Sequence, residues 1–190
     1  MTKILKTLFA SLLVLATFQT AQADNYSDTK AMFQKAGESG AFFANAYGYA
    51  LFPTIGKGGM GIGGAHGAGQ VYAKGQHVGD TKMTQLTIGF QLGGQAYSQV
   101  IFFEDKRAFE DFTSGNFEFG AQATAVAITA AVGAQANTGG GAQAGASGGK
   151  NDAGTVSGGY RKGMAIFTVA KGGLMYEATL GGQKYSYSPK

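Results

Sequence analysis

The chain has 190 residues, of which 15 are basic and 11 acidic, and its formal net charge at pH 7 is +4. It contains 33 glycines and no cysteine, which excludes disulfides, thiolate metal sites and lipid attachment at a cysteine. The weak positive charge argues against an extended nucleic-acid interface, because such interfaces normally show a dense patch of lysine and arginine.

Residues 1–23 have the pattern of a secretory signal peptide. A basic segment with Lys3 and Lys6 precedes an apolar run, and a small-x-small cleavage signal ends at Ala23. The run is shorter than the roughly 20 residues that a membrane-spanning helix needs. We predict export to a bacterial periplasm and a single domain over residues 24–190. Cleavage lowers the net charge from +4 to +2, because two lysines and no acids are lost.

The segment 24–46 is predicted to form a helix. Small and apolar residues recur there at steps of three and four and therefore share one face. They are Thr29, Met32, Phe33, Ala36, Gly40 and Phe43. We favour a helix that covers a sheet over one that inserts into a membrane, because Lys30 and Lys35 project on different sides and nearby acids offset them.

From residue 47 onward the pattern is that of a curved β-sheet. The predicted strands in this part are 47–52, which Pro53 ends, 59–64, 70–74 before a turn at Gly75, 83–91 and 97–103. In 83–91 the apolar residues Leu86, Ile88 and Phe90 alternate with others, as in a strand of period two. Such short spacing indicates an antiparallel meander, in which glycines permit bends and bulges.

The second half of the chain contains one more predicted helix and further strands. The helix begins after Asp105, which can cap it, and ends before Gly115. Its apolar side consists of Ala108, Phe109 and Phe112. Further strands are predicted over 117–132, 155–160, 164–170 and 174–180, with a turn at Gly172-Gly173 and a flexible Gly/Ala-rich loop over 137–154. The fold class is therefore α+β: a strongly curved, mostly antiparallel sheet or half-barrel with an N-terminal helix and one further short helix packed on it.

The motifs that suggest catalysis or cofactor binding lack the context that such chemistry needs. Gly59-x-Gly61-x-x-Gly64 matches a dinucleotide fingerprint, but no helix is predicted after the third glycine to face a phosphate. Gly145-Ala146-Ser147-Gly148-Gly149 matches the nucleophile-elbow pattern only inside a low-complexity tract. His66 and His77 have no further metal ligand at a suitable spacing. We predict no enzyme activity, no cofactor and no metal site.

Several ordered blocks of the sequence resemble the SYLF domain family. The first block is Tyr49-Ala50-Leu51-Phe52-Pro53, followed by Lys57-Gly58-Gly59-Met60-Gly61-Ile62-Gly63-Gly64 and Gly67-Ala68-Gly69. Later blocks are Gly89-Phe90-Gln91-Leu92-Gly93-Gly94-Gln95, the apolar strand Val100 to Phe103, and Phe117-Glu118-Phe119-Gly120-Ala121. The resemblance extends over about residues 31–187.

The resemblance implies a lipid-binding module, because eukaryotic members of the family bind phosphoinositides and actin filaments. It points to Lys30, Lys35 and Lys57 as lipid-binding residues that contact phosphate. An exported bacterial protein does not meet actin, so the expected partner is an anionic phospholipid membrane surface, and nucleic acid is not expected. We therefore predict non-enzymatic phospholipid binding in the periplasm or envelope, peripheral on a membrane. The alternatives are a small outer-membrane β-barrel and a structural envelope protein.

Overall fold

The computed structural model describes residues 25–89, 95–120, 125–128, 160–171 and 181–190. In chain order its elements are α1 (25–35), α2 (Gly37–Asn45), β1 (Gly48–Ala73), β2 (Gln76–Gly89), β3 (Gln95–Phe103), α3 (Lys106–Thr113), β4 (Phe117–Glu118), β5 (Val126–Ile128), β6 (Met164–Lys171) and β7 (Gln183–Pro189). The strands form one sheet in the order β4-β7-β2-β1-β3-β6-β5, antiparallel except for the β5–β6 pair. The sheet curls into a half-barrel, which confirms the predicted α+β fold class.

The central strand, β1, has 26 residues and serves two neighbours. Its first half, residues 48–57, pairs with β3, and its second half, residues 61–73, pairs with β2. The chain then turns at Lys74 and Gly75, as predicted, and returns as β2. A single strand thus carries the connection between the two sides of the curled sheet.

The prediction that Pro53 ends a short strand is wrong, because β1 continues through it. The ladder between β1 and β3 is interrupted between Phe52 and Ile55, so the missing N–H of proline removes no ladder hydrogen bond. The Pro53 carbonyl accepts a hydrogen bond from the Ser98 hydroxyl at 2.7 Å. The irregularity therefore accommodates proline inside a strand rather than at its end.

Glycines allow the two halves of β1 to face each other at close range. A Cβ atom added at Gly67 would lie 2.6 Å from Ile55 Cγ1, and one added at Gly69 would lie 2.6 Å from the Phe52 ring. Real Cβ atoms do not approach other atoms so closely, so only glycine fits at these positions without a shift of its neighbours. Gly67 and Gly69 therefore permit the strong bend of β1, in agreement with the expectation that glycines allow bends in this sheet.

The concave side of the sheet, called the inner face from here on, carries one of two apolar clusters. Its buried members include Ala50, Phe52, Ile55, Ala65, Val71, Met83, Tyr97, Ile101, Phe103 and Tyr185. Helix α3 adds Ala108 and Phe112 to this cluster. Asp105 caps α3 by accepting the Ala108 N–H at 2.8 Å, and Gly115 follows the helix with φ +100°. Both predicted ends of this helix are confirmed.

The opposite, outer face of β1, β3 and β6 is covered by α1 and α2. Tyr26 and Phe33 of α1 are buried there, in a cluster with residues of all three strands. Phe42 and Phe43 of α2 lie with their ring centroids 5.4 and 4.8 Å from that of Phe102. The N-terminal helical segment therefore covers a sheet, which was the favoured interpretation of its apolar stripe.

The predicted first helix is interrupted at Ala36, whose φ of −83° and ψ of 89° lie outside the helical region. The Ser39 hydroxyl donates to the Phe33 carbonyl at 2.6 Å, which satisfies an acceptor that the end of α1 leaves free, and the Ala36 carbonyl lies 3.0 Å from the same hydroxyl. A Cβ atom at Gly40 would lie 2.5 Å from the Gln34 carbonyl oxygen. The segment is thus two helices joined at a tight corner.

The later predicted strands have mixed outcomes. The one over 164–170 is confirmed as β6. Of the one over 117–132, the described residues include β4 and β5, and residues 121–124 and 129–132 lie outside the described ranges. β7 was missed, although Tyr185 and Tyr187 alternate with polar residues in it. Outside the described residues lie the signal peptide 1–23, the loop 137–154, the strand 174–180, the turn at Gly172-Gly173 and all of the strand 155–160 except Tyr160. None of the helices in the described ranges has the length and apolar character needed to cross a membrane.

Replacing Gly69 by alanine should destabilise the fold. The new Cβ atom would lie 2.6 Å from the Phe52 ring and 2.8 Å from the Leu51 carbonyl oxygen, which belongs to the backbone and cannot rotate away. We expect a loss of about 1–3 kcal/mol in the free energy of unfolding, measured by urea titration. Gly56→Ala on the same strand is the matched control, because nothing lies within 4 Å of its added Cβ. Equal stability of the two variants would contradict the close-packing account.

Candidate functional site

The three lysines predicted to contact lipid do not lie on one face. Lys30 lies on α1 over the outer face, and Lys35 is the exposed last residue of the same helix. Lys57 lies on β1 with the same parity as Ile55, so its side chain is on the inner side of the strand. Lys30 and Lys35 lie on the same helix, on the outer side of the sheet, whereas Lys57 lies on the inner side. Their contact with lipid stays a prediction.

Lys30 has an aromatic partner within the protein. Its Nζ lies 5.7 Å from the centroid of the Tyr49 ring, within the range of a cation–π contact. The Tyr49 ring in turn stacks on Tyr72 at 4.8 Å, and the Tyr72 hydroxyl donates to Gln70 Oε1. Burial raises the pKa of Tyr49 and of Tyr72 to about 12. Lys30 therefore helps to hold α1 on the sheet, in addition to any role at a membrane.

A second surface lies on the outer side of β1, β2 and β7, and we call it the uncovered face. Its side chains are all exposed. They are His66 and Ala68 on β1, Lys82, Thr84 and Leu86 on β2, and Lys184 and Ser186 on β7. The register places His66, Thr84 and Lys184 in one row across the three strands, and Ala68, Lys82 and Ser186 in the next. Residues distant in sequence thus form one flat grid.

Leu86 is the most unusual residue of the uncovered face. It is 84% exposed, and it is the one large hydrophobic side chain found exposed among the residues whose burial the structure describes. The alternation predicted for this strand is present, but its phase differs, because Thr81, Met83 and Gln85 are the buried set. A single exposed leucine is common on protein surfaces, so its meaning depends on what surrounds it.

Amino groups flank Leu86 on the uncovered face. Lys82 lies two residues before it on the same side of β2, and Lys184 lies one row away on β7. Lys184 Nζ is 3.6 Å from a carboxylate oxygen of Glu118, whereas Lys82 has no acidic partner within the described residues. Asp80, in the row beyond Lys82, pairs with His77 at 3.1 Å. The face therefore combines an apolar tip with amines, a chemistry suited to an anionic and partly apolar surface.

Sequence reasoning missed Lys82, Leu86 and Lys184 as a group. The alternation in β2 was visible, but apolar residues occupy both parities, with Met83 on one and Leu86 on the other. Lys184 joins them only through the β2–β7 register. Within the described part of the chain, no three His, Asp or Glu side chains converge where they could hold a metal ion.

The curled sheet and its covering helices form a small α+β domain. A family model described as Ysc84, Las17-binding protein actin regulator, matches residues 84–188, which is more than half of the chain. The chain therefore belongs to this family, whose SYLF domain is a lipid-binding-type module, and the predicted SYLF resemblance is confirmed. The matched segment contains Leu86 and Lys184 and does not include α1.

A bacterial relative extends the similarity toward the N-terminus. The chain is 30% identical over 156 residues to beta cell expansion factor A of Aeromonas veronii. The alignment covers 81% of this chain and 51% of that protein, so the chain spans about half the length of this relative.

Alkaline pH should destabilise the protein through its buried tyrosines. Burial raises the pKa of Tyr26, Tyr49 and Tyr72 to about 12, against about 10 in an unfolded chain. Between these values the unfolded state loses phenol protons that the folded state keeps, so stability falls as pH rises above about 10 and is unaffected well below it. We expect a loss of less than about 1 kcal/mol per tyrosine at pH 11 relative to pH 8, measured by urea titration, because partial exposure of the hydroxyls to solvent reduces the effect of the shift.

Tyr49→Phe tests this assignment. Its hydroxyl is buried without a hydrogen-bond partner, so the variant should keep its stability at pH 8 and show a shallower loss at pH 11. Tyr185→Phe is the contrasting control, because the Tyr185 hydroxyl bonds to Gln99 and Gln183 and its loss should lower stability already at pH 8. An unchanged alkaline slope in Tyr49→Phe would contradict the account.

Proposed function

We propose that this chain is a non-enzymatic module that binds anionic phospholipid head groups at the bacterial envelope, with the uncovered face as its contact surface. The observation that carries the proposal is the position of Leu86, 84% exposed, beside Lys82 and Lys184. Each lysine near an anionic leaflet contributes about 1 kcal/mol of attraction. An exposed leucine gains free energy when it leaves water for the acyl boundary, so both terms act in one direction.

Family membership supports lipid as the ligand. The family is associated with lipid and actin binding in eukaryotes, and its model describes an actin regulator. The proposed periplasmic location offers an exported protein a phospholipid surface and no actin, so phospholipid is the proposed partner and actin is not. α1 remains a candidate for additional head-group contacts through Lys35, which is exposed and has no acidic partner within the described residues.

Liposome co-sedimentation tests the proposal. We expect the chain lacking residues 1–23 to bind vesicles containing phosphatidylglycerol more tightly than vesicles of phosphatidylcholine alone. Replacing Lys82 and Lys184 together by glutamine should weaken binding to the anionic vesicles at least tenfold, since two lysines contribute about 2 kcal/mol. Leu86→Ser should weaken the binding that persists at high salt, because the apolar term is not screened.

The controls separate the uncovered face from other lysines. Lys74→Gln with Lys162→Gln removes the same charge at two turns away from this face and should leave binding within about threefold. Joint replacement of Lys30, Lys35 and Lys57 by glutamine tests the residues selected from the family resemblance. No preference for anionic vesicles would refute the electrostatic basis of the proposal, and full binding by the Lys82/Lys184 variant would refute the site.

Export is tested separately, by expression of the full chain in a Gram-negative host. We expect osmotic shock to release a protein whose first residue, by intact mass, is Asp24. Retention of residues 1–23 on protein confined to the cytoplasm would refute the proposed location. The outcome is independent of the lipid assay, because that assay uses the chain without this segment.

A further inference from the structure

The inner face contains a buried network of uncharged polar side chains within an otherwise apolar cluster. Gln183 lies at its centre, and its Nε2 donates to the Tyr97 hydroxyl at 3.2 Å and to Gln85 Oε1 at 3.5 Å. Gln183 Oε1 accepts from the Tyr185 hydroxyl at 2.5 Å and from Gln99 Nε2 at 3.3 Å. Strands β2, β3 and β7 are thus linked across the inside of the curled sheet by side-chain hydrogen bonds.

Two polar atoms beside this network have no hydrogen-bond partner among the residues that the structure describes. They are Gln99 Oε1 and Thr168 Oγ1, on side chains that are 0% and 1% exposed. The two residues are register partners on β3 and β6, so their side chains project on the same side of the sheet. Buried polar groups are normally paired, so two unpaired atoms at one position point to an occupant that binds both.

Rotating the Gln99 amide so that its nitrogen and oxygen exchange places does not pair all of its polar atoms. Its Nε2 already donates to the Tyr185 hydroxyl at 2.8 Å and to Gln183 Oε1. Exchange of its nitrogen and oxygen would place two carbonyl oxygens against each other at the Gln183 end and leave the nitrogen unpaired at the other. The network therefore fixes Gln99 Oε1 as an acceptor that faces away from Gln183.

We propose that Gln99 and Thr168 form an internal binding site for one small neutral molecule that donates and accepts hydrogen bonds, and that water occupies it. The molecule donates to Gln99 Oε1 and exchanges a hydrogen bond with the Thr168 hydroxyl. Directly opposed residues on antiparallel strands have Cα atoms about 4.5–5.5 Å apart, a separation that one bridging water spans. This site is independent of the lipid-binding proposal, because it lies on the other side of the sheet from the uncovered face.

The charge and packing of the surroundings select this occupant. All buried polar residues of the described chain are threonine, serine or glutamine, so no charged group is present to neutralise a buried ion. Phe52, the partner of Gln99 on β1, and Ile101, the next inward-facing residue on β3, are both 0% exposed and belong to the inner cluster. A small neutral molecule such as water suits this buried, uncharged and largely apolar environment, whereas a charged lipid head group would lose its hydration there without a charged partner.

Thermal unfolding of Thr168→Val distinguishes an occupied site from a dry one. Valine keeps the shape and removes the hydroxyl, so an occupied site loses a hydrogen bond and Tm should fall by about 3 °C. In a dry site the same change removes an unpaired buried hydroxyl, and Tm would rise. Thr84→Val, exposed on β2, is the matched control for the change in side-chain type and should leave Tm within about 1 °C.

A crystal structure of the full mature protein, grown from ordinary aqueous buffer at a resolution that shows ordered water, gives the direct readout. We expect one peak of density within 3.2 Å of both Gln99 Oε1 and Thr168 Oγ1, and its loss in Thr168→Val. A rise of Tm in Thr168→Val, or a wild-type map without density between these atoms, would overturn the proposal. A folding defect in the valine variant does not affect the wild-type map.

Discussion

The close approach between the two halves of β1 is the contact on which the rest of the structure depends. Gly67 lies against Ile55 and Gly69 against Phe52, at distances that leave no space for a Cβ atom. Because β2 pairs with one half of β1 and β3 with the other, this contact sets the curvature of the whole sheet. The inner cluster and the glutamine network lie where they do because the sheet closes on them at this point.

Local signals were sufficient to predict some elements and insufficient for others. Helix α3 was predicted with both ends, since its cap at Asp105 and its terminator at Gly115 lie within a few residues of it. The prediction for Pro53 was wrong because the strand continues through an irregularity in the hydrogen-bond ladder between β1 and β3. No local sequence pattern indicates such an irregularity. The orientation of Leu86 could not be predicted either, because apolar residues occur on both faces of β2. The sequence alone does not indicate that Met83 is the one that faces the core.

The candidate site was less predictable than the fold, for a related reason. Lys30, Lys35 and Lys57 were selected by resemblance to the family, and position along the chain does not determine which side of a sheet a residue occupies. Lys82 and Lys184 are about a hundred residues apart in sequence and become neighbours only through the register of β2 with β7. A surface that depends on strand pairing can be predicted only once the pairing and its register are known.

The division of β1 between two environments links the fold to the proposed function. The outer side of its first half is covered by α1 and α2, which bury Tyr49 and Leu51, whereas the outer side of its second half leaves His66 and Ala68 exposed. The inner side is filled along the strand by Phe52, by Ile55 and by the close contacts at the glycines. These side chains occupy the inner side of β1 where its two halves meet. The proposed function accordingly uses the outer surface, where the uncovered face of β1, β2 and β7 offers both amines for head-group charge and, at Leu86, a shallow apolar contact.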